Sequence, residues 1–222
     1  MMGEEQEAIV VKAMKNLRCL GVETHQIPRG NIRHLRGCLW CIDLEHLENI
    51  NSLTISSQRK LGESEPLYKF DYAIRGNIRG IPSDRVILHT KSYFSGLFKR
   101  KFSSIRWMIP EESDYTGYKI NGESPKPGEI WEEGPHRVLV NLLNNDHLLM
   151  EGLMTQVEEL DSITRFSIFS DKWDESIRLT CNAWLEEETA LKVYTSELYI
   201  EVCKRVFGHI HAIRRRFGGL TF

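Results

Sequence analysis

The sequence predicts an α+β protein in which a twisted, mostly antiparallel sheet is covered by two helices and preceded by an N-terminal helical arm. Three observations predict this class. Aromatic and aliphatic residues alternate with other residues over 68–74, which is the two-residue period of a half-buried strand. Two strand-like runs, 163–170 and 176–185, are separated by the mostly polar stretch 171–175 and indicate a hairpin. Apolar residues recur every three or four positions over 190–217, which is the spacing of a helix.

The remaining elements of the core follow from capping residues and shorter patterns. Ser83 and Asp84 offer an N-cap to apolar residues at helical spacing, so we expect a helix over 84–99 that packs on the first strand. Together with the helix over 190–217, it would cover the sheet. We expect the strands of this sheet near residues 68–75, 105–109, 138–143, 163–170 and 177–185.

The N-terminal segment has a different pattern. Residues 1–60 are expected to form a helical arm or small subdomain, and residues 61–222 an α+β core domain. Glutamates begin the segment 4–20 and basic residues end it before Gly21, an order that complements the dipole of a helix. The mostly apolar stretch 38–55 fits either a helix or a strand.

Charge is sorted into blocks, although the formal net charge is only −2. Residues 84–108 hold six Lys or Arg against one Asp, and residues 202–222 hold five and no acid. Residues 109–135 instead hold seven carboxylates against two lysines. Prolines and glycines throughout 110–136 predict a long acidic loop there. Such blocks allow a nearly neutral chain to present basic surfaces to an anionic partner.

Length and composition exclude several classes of protein. A chain of 222 residues with 41% hydrophobic and 27% charged residues is globular, neither disordered nor fibrous. No run approaches the roughly 18–20 apolar residues that cross a bilayer, and the acidic N-terminus is unlike a signal peptide, so we expect a cytosolic protein. The five scattered cysteines are expected to be reduced thiols.

A structural zinc site is the sharpest chemical possibility. His34, Cys38, Cys41 and His46 supply two thiolates and two imidazoles at spacings that begin like a zinc knuckle. The knuckle requires a further cysteine at position 51, where the chain has Asn51. The alternative is that the apolar run around these cysteines is core, because free cysteine is among the most buried residue types. We favour the core and expect no metal.

Catalytic patterns are weaker. Cys203, His209 and His211 fall on one predicted helix without an oxyanion-hole motif, which favours a buried thiol and surface imidazoles over a nucleophile and its base. Adjacent carboxylate pairs such as Glu111 and Glu112 are typical of solvated charge rather than of a general acid and base. No glycine-rich phosphate loop is present. We therefore expect no enzymatic activity and no cofactor.

Two basic segments with neighbouring aromatic residues are the candidate contact sites. Lysine and arginine beside aromatic rings can lie against phosphate headgroups or an RNA backbone, while the rings stack on bases or enter a membrane interface. The alternative is that these cations are solvated helix ends that complement a dipole. The candidate residues are Lys99, Arg100, Lys101, Phe102, Arg106, Trp107, Arg214, Arg215 and Arg216.

The segments YKFDYAIRGNIRGIPSDRVILHTKSYFSGLFKRKFSSIRWMI (68–109) and RFSIFSDKWDESIRLTCNAWLEEE (165–188) resemble the matrix proteins of rhabdoviruses. The resemblance lies in the order strand, Ser-Asp-capped helix, basic turn and strand, followed by a hairpin-like pair, an acidic break and a terminal helix. Matrix proteins of this kind often begin with a lysine-rich arm that carries a Pro-Pro-x-Tyr budding motif. This chain instead begins with an acidic helix and has no such motif.

The resemblance implies a non-enzymatic structural protein of the virion and host cytoplasm. Such a protein would self-associate, bind the viral nucleocapsid and dock it on the anionic inner face of the membrane during assembly and budding. One alternative is an RNA-binding viral regulatory protein, such as a suppressor of host defence, in which Phe102, Trp107 and the arginines contact RNA. Another is a metal-stabilised interaction module built on Cys38 and Cys41.

Overall fold

The computed structural model of the protein describes residues 4–27, 38–45, 47, 49–58, 66–76, 86–95, 99–109, 135–160, 166–171, 176–181 and 183–217. The helices are α1 (Glu4–Cys19), α2 (Pro135–Asn145), α3 (His147–Leu160), α4 (Glu187–Tyr194) and α5 (Glu197–Phe217). The strands are β1 (Glu23–Ile27), β2 (Cys38–Glu45), β3 (Ser52–Gln58), β4 (Leu67–Arg75), β5 (Val86–Ser95), β6 (Lys99–Met108), β7 (Phe166–Asp171) and β8 (Ser176–Cys181).

The described strands form one eight-stranded sheet in the order β1-β2-β3-β4-β8-β7-β5-β6. Every pairing between neighbours is antiparallel, which confirms the predicted α+β class. Side chains at paired positions share a face, because alternate residues of a strand point to opposite sides. One apolar row crosses six strands in this way: Ile42, Leu53, Tyr72, Leu179, Ile168 and Val86.

Helices α4 and α5 pack on the face that carries this apolar row. The Phe70 ring stacks on Tyr194 with ring centroids 5.2 Å apart. Tyr199 contacts both Tyr72 and Phe166, at centroid separations of 5.7 and 6.3 Å. The Tyr72 hydroxyl donates to the Tyr194 carbonyl at 2.7 Å, so this polar atom is satisfied inside the core. The core therefore lies between the sheet and the C-terminal helices.

The N-terminal helix forms as the sequence predicts. Ile9, Ala13 and Leu17 are buried at helical spacing on one side of α1. Gly21 follows with φ of +79°, a left-handed conformation that glycine adopts without steric cost. The Val22 N–H donates back to the Leu17 carbonyl at 3.1 Å, which satisfies a free carbonyl at the helix end.

Three strands of the main sheet follow the N-terminal helix. Residues 23–58 supply β1, β2 and β3, and β3 pairs with β4, the first strand of the predicted core domain. The proposed boundary near residue 60 thus falls between two neighbouring strands of one sheet. The stretch 38–55, which fitted helix or strand, holds β2 and most of β3.

The helix predicted over 84–99 is wrong, because this segment forms β5. Val86 and Leu88 are buried while His89 is exposed, a two-residue alternation that the neighbouring Ile87 obscures in the sequence. Strand β5 pairs along its length with β6 in a long hairpin. Cross-strand pairing, which has no local signal, outweighs the helical spacing of the apolar residues. The segment 68–109 therefore contains three strands, β4, β5 and β6, and not the strand-helix-strand order on which the resemblance was based.

The strand predicted over 138–143 is also wrong, because it lies in α2. Val138, Leu139 and Leu143 are buried, and their spacing fits one face of a helix. The alternation of Val138, Val140 and Leu142 in the sequence fits a strand equally well. Burial against neighbouring elements selects the helix. The acidic loop predicted over 110–136 falls almost entirely outside the described residues.

The C-terminal region follows the prediction with one correction. The hairpin of β7 and β8 lies within the expected runs, strand 68–75 is β4, and the strand near 105–109 lies at the end of β6. The predicted single helix over 190–217 is interrupted between Tyr194 and Glu197. Ser196 begins α5 there, because its Oγ accepts the Tyr199 N–H at 3.1 Å and so acts as an N-cap.

Candidate functional site on the far face of the sheet

The face of the sheet away from α4 and α5, called the far face here, carries most of the polar strand residues. Asp71 lies beside Tyr72 in β4, and Tyr72 points to the helices, so Asp71 points to the far face. The pairing continues this row across all eight strands: Ile27, Cys41, Thr54, Asp71, Thr180, Ser167, Ile87 and Met108. The row is polar in its middle and less polar at both ends.

The middle of the far face holds a buried polar cluster. Asp71 accepts a hydrogen bond from the Thr180 hydroxyl at 2.8 Å and lies 3.2 Å from the Lys69 Nζ. Arg178 donates to the Thr54 hydroxyl at 3.5 Å. Asp71 and Arg178 are only 7% and 6% exposed, so their hydrogen bonds offset the cost of burying charge. These contacts join β3, β4 and β8, which indicates a structural role.

Exposed cations lie at the β5–β6 end of the far face. His89 and Arg106 are directly paired, and both lie two residues from the row that contains Ile87 and Met108. Lys91 lies two residues after His89 and so points to the same face. The pairing of β5 with β6 is irregular after Lys91, and beyond this point Lys101 is exposed while the adjacent Phe102 is buried. We call Lys91, Lys101 and Arg106 the basic strip.

The basic strip has charge available for a partner. Within the described ranges, none of its three cations lies within ion-pair distance of a carboxylate. Sequence reasoning found Lys101 and Arg106 but missed Lys91, because the segment that contains it was predicted to be a helix. The alternation of the polar His89 and Lys91 with Leu88 and the β-branched Thr90 was the signal available in the sequence.

The aromatic members of the first candidate site lie in the core. Trp107 is fully buried and Phe102 is 8% exposed, so neither ring is available to stack on a base or enter a membrane interface. Expecting them at a contact surface was therefore wrong. They point toward the helices because they occupy the strand positions that alternate with the cations. Lys99 and Arg100 lie in β6, but their side chains fall outside the described part of the chain.

The three arginines of the second candidate site are not equivalent. Arg214 is 6% exposed and donates a hydrogen bond to the Gly76 carbonyl at the end of β4, so it is a structural residue and not a contact residue as predicted. Burial lowers the pKa of Arg214 to about 10. Burial and the charges of Arg214 and Arg215 lower the pKa of His211. Arg215 and Arg216 are exposed. Two strands of the sheet, β8 and β7, lie between β4 and the basic strip on β5 and β6.

The predicted zinc ligands do not come together on one side of a strand. Positions 38 and 41 are three residues apart in β2, where they pair with Ser57 and Thr54. An odd separation in a strand places two positions on opposite faces of the sheet. The side chain of Cys38 lies outside the described part of the chain. His34 and His46 lie outside the described residues.

A different group of potential metal ligands lies at the β1–β2 end of the far face. One ligand atom from each of Glu23, His25 and Glu45 lies within 4.8 Å of the others, and all three residues are exposed. His25 Nε2 is 3.7 Å from Glu45 Oε1, and Glu23 and Glu45 are directly paired across the two strands. The sequence analysis missed this group, because its members become neighbours only when β1 pairs with β2.

The candidate catalytic residues lie in the packing of the helices. Cys203 is fully buried, and burial raises the pKa of its thiol. His209 Nε2 lies 2.9 Å from Asp146 Oδ2, and Arg205 lies 3.2 Å from Oδ1 of the same carboxylate. Asp146 also caps α3, because its Oδ1 accepts the Leu149 N–H at 3.0 Å. This arrangement joins α2, α3 and α5, and its chemistry is that of a structural anchor.

Charge on the far face thus runs from an acidic end at β1 and β2, through a buried polar centre, to the basic strip on β5 and β6. The strip has the chemistry of a surface that binds anions. None of the described helices has a stretch long and apolar enough to span a bilayer. Comparison of the chain with protein-family models, curated proteins and solved structures found no match.

Proposed function

We propose that the protein is a non-enzymatic structural protein of the viral matrix type, which binds an anionic membrane surface through the basic strip and links ribonucleoprotein to it. The observation that carries the proposal is that Lys91, Lys101 and Arg106 are exposed on one face of the β5–β6 hairpin, without a carboxylate at ion-pair distance among the described residues. Phosphate headgroups attract such cations without requiring a pocket.

The magnitude of the attraction favours a protein that acts in many copies. Each cation near an anionic membrane contributes about 1 kcal/mol, so the three residues of the strip contribute about 3 kcal/mol per molecule. That is a weak interaction for a single copy. Self-association would place many strips on one surface and raise the overall affinity through multivalency.

The burial of Phe102 and Trp107 favours phosphate contact over base recognition. Proteins that bind single-stranded RNA commonly stack bases on exposed aromatic rings. These two rings, which the RNA-binding alternative requires, lie in the core. Contact with an RNA backbone through the strip alone stays open as an outcome of the test.

Flotation of the protein with phosphatidylserine-containing and purely phosphatidylcholine vesicles tests the proposal. We expect flotation with the acidic vesicles alone, and a loss of at least about tenfold in partitioning for Lys101→Glu/Arg106→Glu. Lys15→Glu/Lys192→Glu makes the same change in net charge at exposed positions of α1 and α4 and should float like the unmodified protein.

Equal flotation of the strip variant and the control variant would contradict the proposal. Labelled RNA is titrated in parallel across salt concentrations, because phosphate contacts lose affinity steeply as salt is added. RNA binding that depends on the strip, without any vesicle binding, would replace the membrane role with the RNA-binding alternative.

A further inference from the structure

The two edges of the sheet are covered differently. At one edge, α2 and α3 pack against β6, and Asn144 of α2 forms hydrogen bonds with the backbone of Trp107. At the other edge, β1 pairs with β2 on one side and has no strand partner on its other side among the described residues. Unpaired edges are sites at which another strand can add, so proteins normally cover them.

The register shows which backbone groups of β1 face outward. The Leu44 N–H donates to the Asn51 carbonyl at 2.9 Å, so the backbone of Leu44 turns toward β3 and away from β1. Thr24 pairs with Leu44, and the N–H and carbonyl of Thr24 therefore turn away from β2 toward the free edge. Arg18 donates to this Thr24 carbonyl at 2.8 Å, which agrees with the outward direction.

Gln26 repeats this geometry two residues later. Its partner in β2 is Ile42, two residues from Leu44, so the Gln26 N–H and carbonyl also point outward. Neither group has a backbone partner in the described part of the chain. The edge thus presents a donor and an acceptor in the arrangement that an added strand would use.

A groove runs beside this edge, between β1 and α1. It has a volume of about 440 Å³ and is lined by Val11, Met14, Lys15, Arg18, Cys19 and Gln26. Val11 is 57% exposed and gives the groove an accessible apolar surface. Lys15 is exposed on the same helix. The groove therefore combines apolar surface with positive charge next to an open strand edge.

We propose that the β1 edge and this groove bind an extended peptide segment of a partner protein, which adds to the sheet as a ninth strand beside the eight described. Backbone hydrogen bonds to Gln26 would hold the peptide. An apolar side chain of the peptide would cover Val11 and Met14, and a neighbouring carboxylate would pair with Lys15. The site lies at the opposite edge of the sheet from the basic strip, so it does not depend on membrane binding.

Selection of random displayed peptides on the immobilised full-length protein tests the proposal, followed by fluorescence polarisation with the selected peptides carrying fluorescein. We expect enrichment of sequences with an acidic residue beside an apolar one. Gln26→Pro removes the outward N–H at an edge position that tolerates proline, and it should weaken binding at least about tenfold. Lys192→Glu, at an exposed position of α4 outside the groove, should bind like the unmodified protein.

Lys15→Glu and Val11→Glu test the groove independently, should the proline variant fail to fold. Both residues are exposed on α1, and each variant should weaken binding at least about tenfold while leaving the melting temperature unchanged. Failure to select any peptide, or selected peptides that bind all these variants equally, would overturn the proposal. Analytical ultracentrifugation checks for self-association. A dimer that Gln26→Pro converts to a monomer would also overturn the proposal, because the edge would then bind a second copy of the chain.

Different variants test the two sites. Lys15→Glu should weaken peptide binding, yet as part of Lys15→Glu/Lys192→Glu it should leave vesicle flotation intact. Conversely, Lys101→Glu/Arg106→Glu should weaken flotation and leave peptide binding intact.

Discussion

The side-chain amide of Asn144 satisfies both backbone groups of Trp107. Its Oδ1 accepts the Trp107 N–H at 2.8 Å, and its Nδ2 donates to the Trp107 carbonyl at 2.9 Å. Trp107 pairs with Leu88 of β5 on one side and has the edge of the sheet on the other. The amide of a helix residue therefore takes the place of a neighbouring strand and ties α2 to the edge.

Replacing this amide should destabilise the protein. Asn144→Ala removes two hydrogen bonds and is expected to lower the free energy of unfolding by about 1–3 kcal/mol, measured by urea denaturation. Hydrogen exchange of the Trp107 amide should accelerate as well. Asn145→Ala changes an exposed neighbour in the same helix and should have an effect below about 0.5 kcal/mol. Equal effects of the two variants would show that the amide does not hold the edge.

The Asp146 carboxylate should make stability dependent on pH in the acid range. Partial burial acts to raise its pKa, but hydrogen bonds from Leu149 and His209 and the charge of Arg205 outweigh it, so the pKa lies below the ordinary 3.8. Because the folded pKa is lowered, the stabilisation is complete above pH 3.8 and is lost as the pH falls through the folded pKa.

Asp146→Asn should remove this dependence. We expect the variant to be less stable by about 1–2 kcal/mol near neutral pH, with the difference shrinking as the pH falls below 3.8, measured by urea denaturation at each pH. Glu151→Gln, an exposed carboxylate of α3, serves as the control for loss of one negative charge. A constant difference across the pH range would contradict the prediction.

Two helical glycines should respond to substitution with opposite signs. A Cβ at Gly208 of α5 would have no heavy atom within 4 Å, so Gly208→Ala is expected to stabilise the protein by about 0.5–1 kcal/mol through helix propensity. A Cβ at Gly152 of α3 would lie 3.2 Å from Val202 and 3.4 Å from Leu198 of α5. Gly152→Val should therefore destabilise by about 1–3 kcal/mol. Thermal denaturation of both variants checks the pair, and equal signs would refute the close approach of α3 and α5.

Arg214 should act on stability, in contrast to its exposed neighbour. Arg214→Ala removes the charged hydrogen bond to the Gly76 carbonyl and should lower the free energy of unfolding by about 2 kcal/mol. Arg215→Ala should change it by less than about 0.5 kcal/mol. Urea denaturation distinguishes the two. If both variants unfold alike, the assignment of Arg214 to the core is wrong.

Cysteine reactivity should follow burial. Cys19 is exposed, whereas Cys181 and Cys203 are fully buried. Burial is the main cause that raises the pKa of Cys181 to about 12, and it also raises the pKa of Cys203. Iodoacetamide should therefore alkylate Cys19 in the folded protein, and Cys181 and Cys203 only after unfolding. Peptide mass spectrometry at increasing urea measures the order, and modification of Cys203 at the rate of Cys19 would contradict it.

Local periodicity predicted the elements whose apolar residues fit only one period. Strand 68–75, the hairpin of β7 and β8, the helix over 4–20 and most of 190–217 all show a single clear period. The segments that became β5 and α2 have apolar residues that fit both periods. Their secondary structure depends on pairing with β6 and on packing against neighbouring helices, which no local pattern encodes.

The sequence by itself determined the α+β class, the amphipathic helices at both ends and the presence of basic residues around positions 99–106 and 214–216. The tertiary structure decided which of those residues are available to a partner. Strand alternation buries Trp107 and Phe102 and exposes Lys101 and Arg106, and the docking of α5 against the end of β4 buries Arg214. Among the described strands, the pairing of β1 with β2 leaves one edge of the sheet without a partner, while Asn144 covers the other. Exposure depends on contacts between residues far apart in the chain, and for that reason it follows from the fold and not from any single segment.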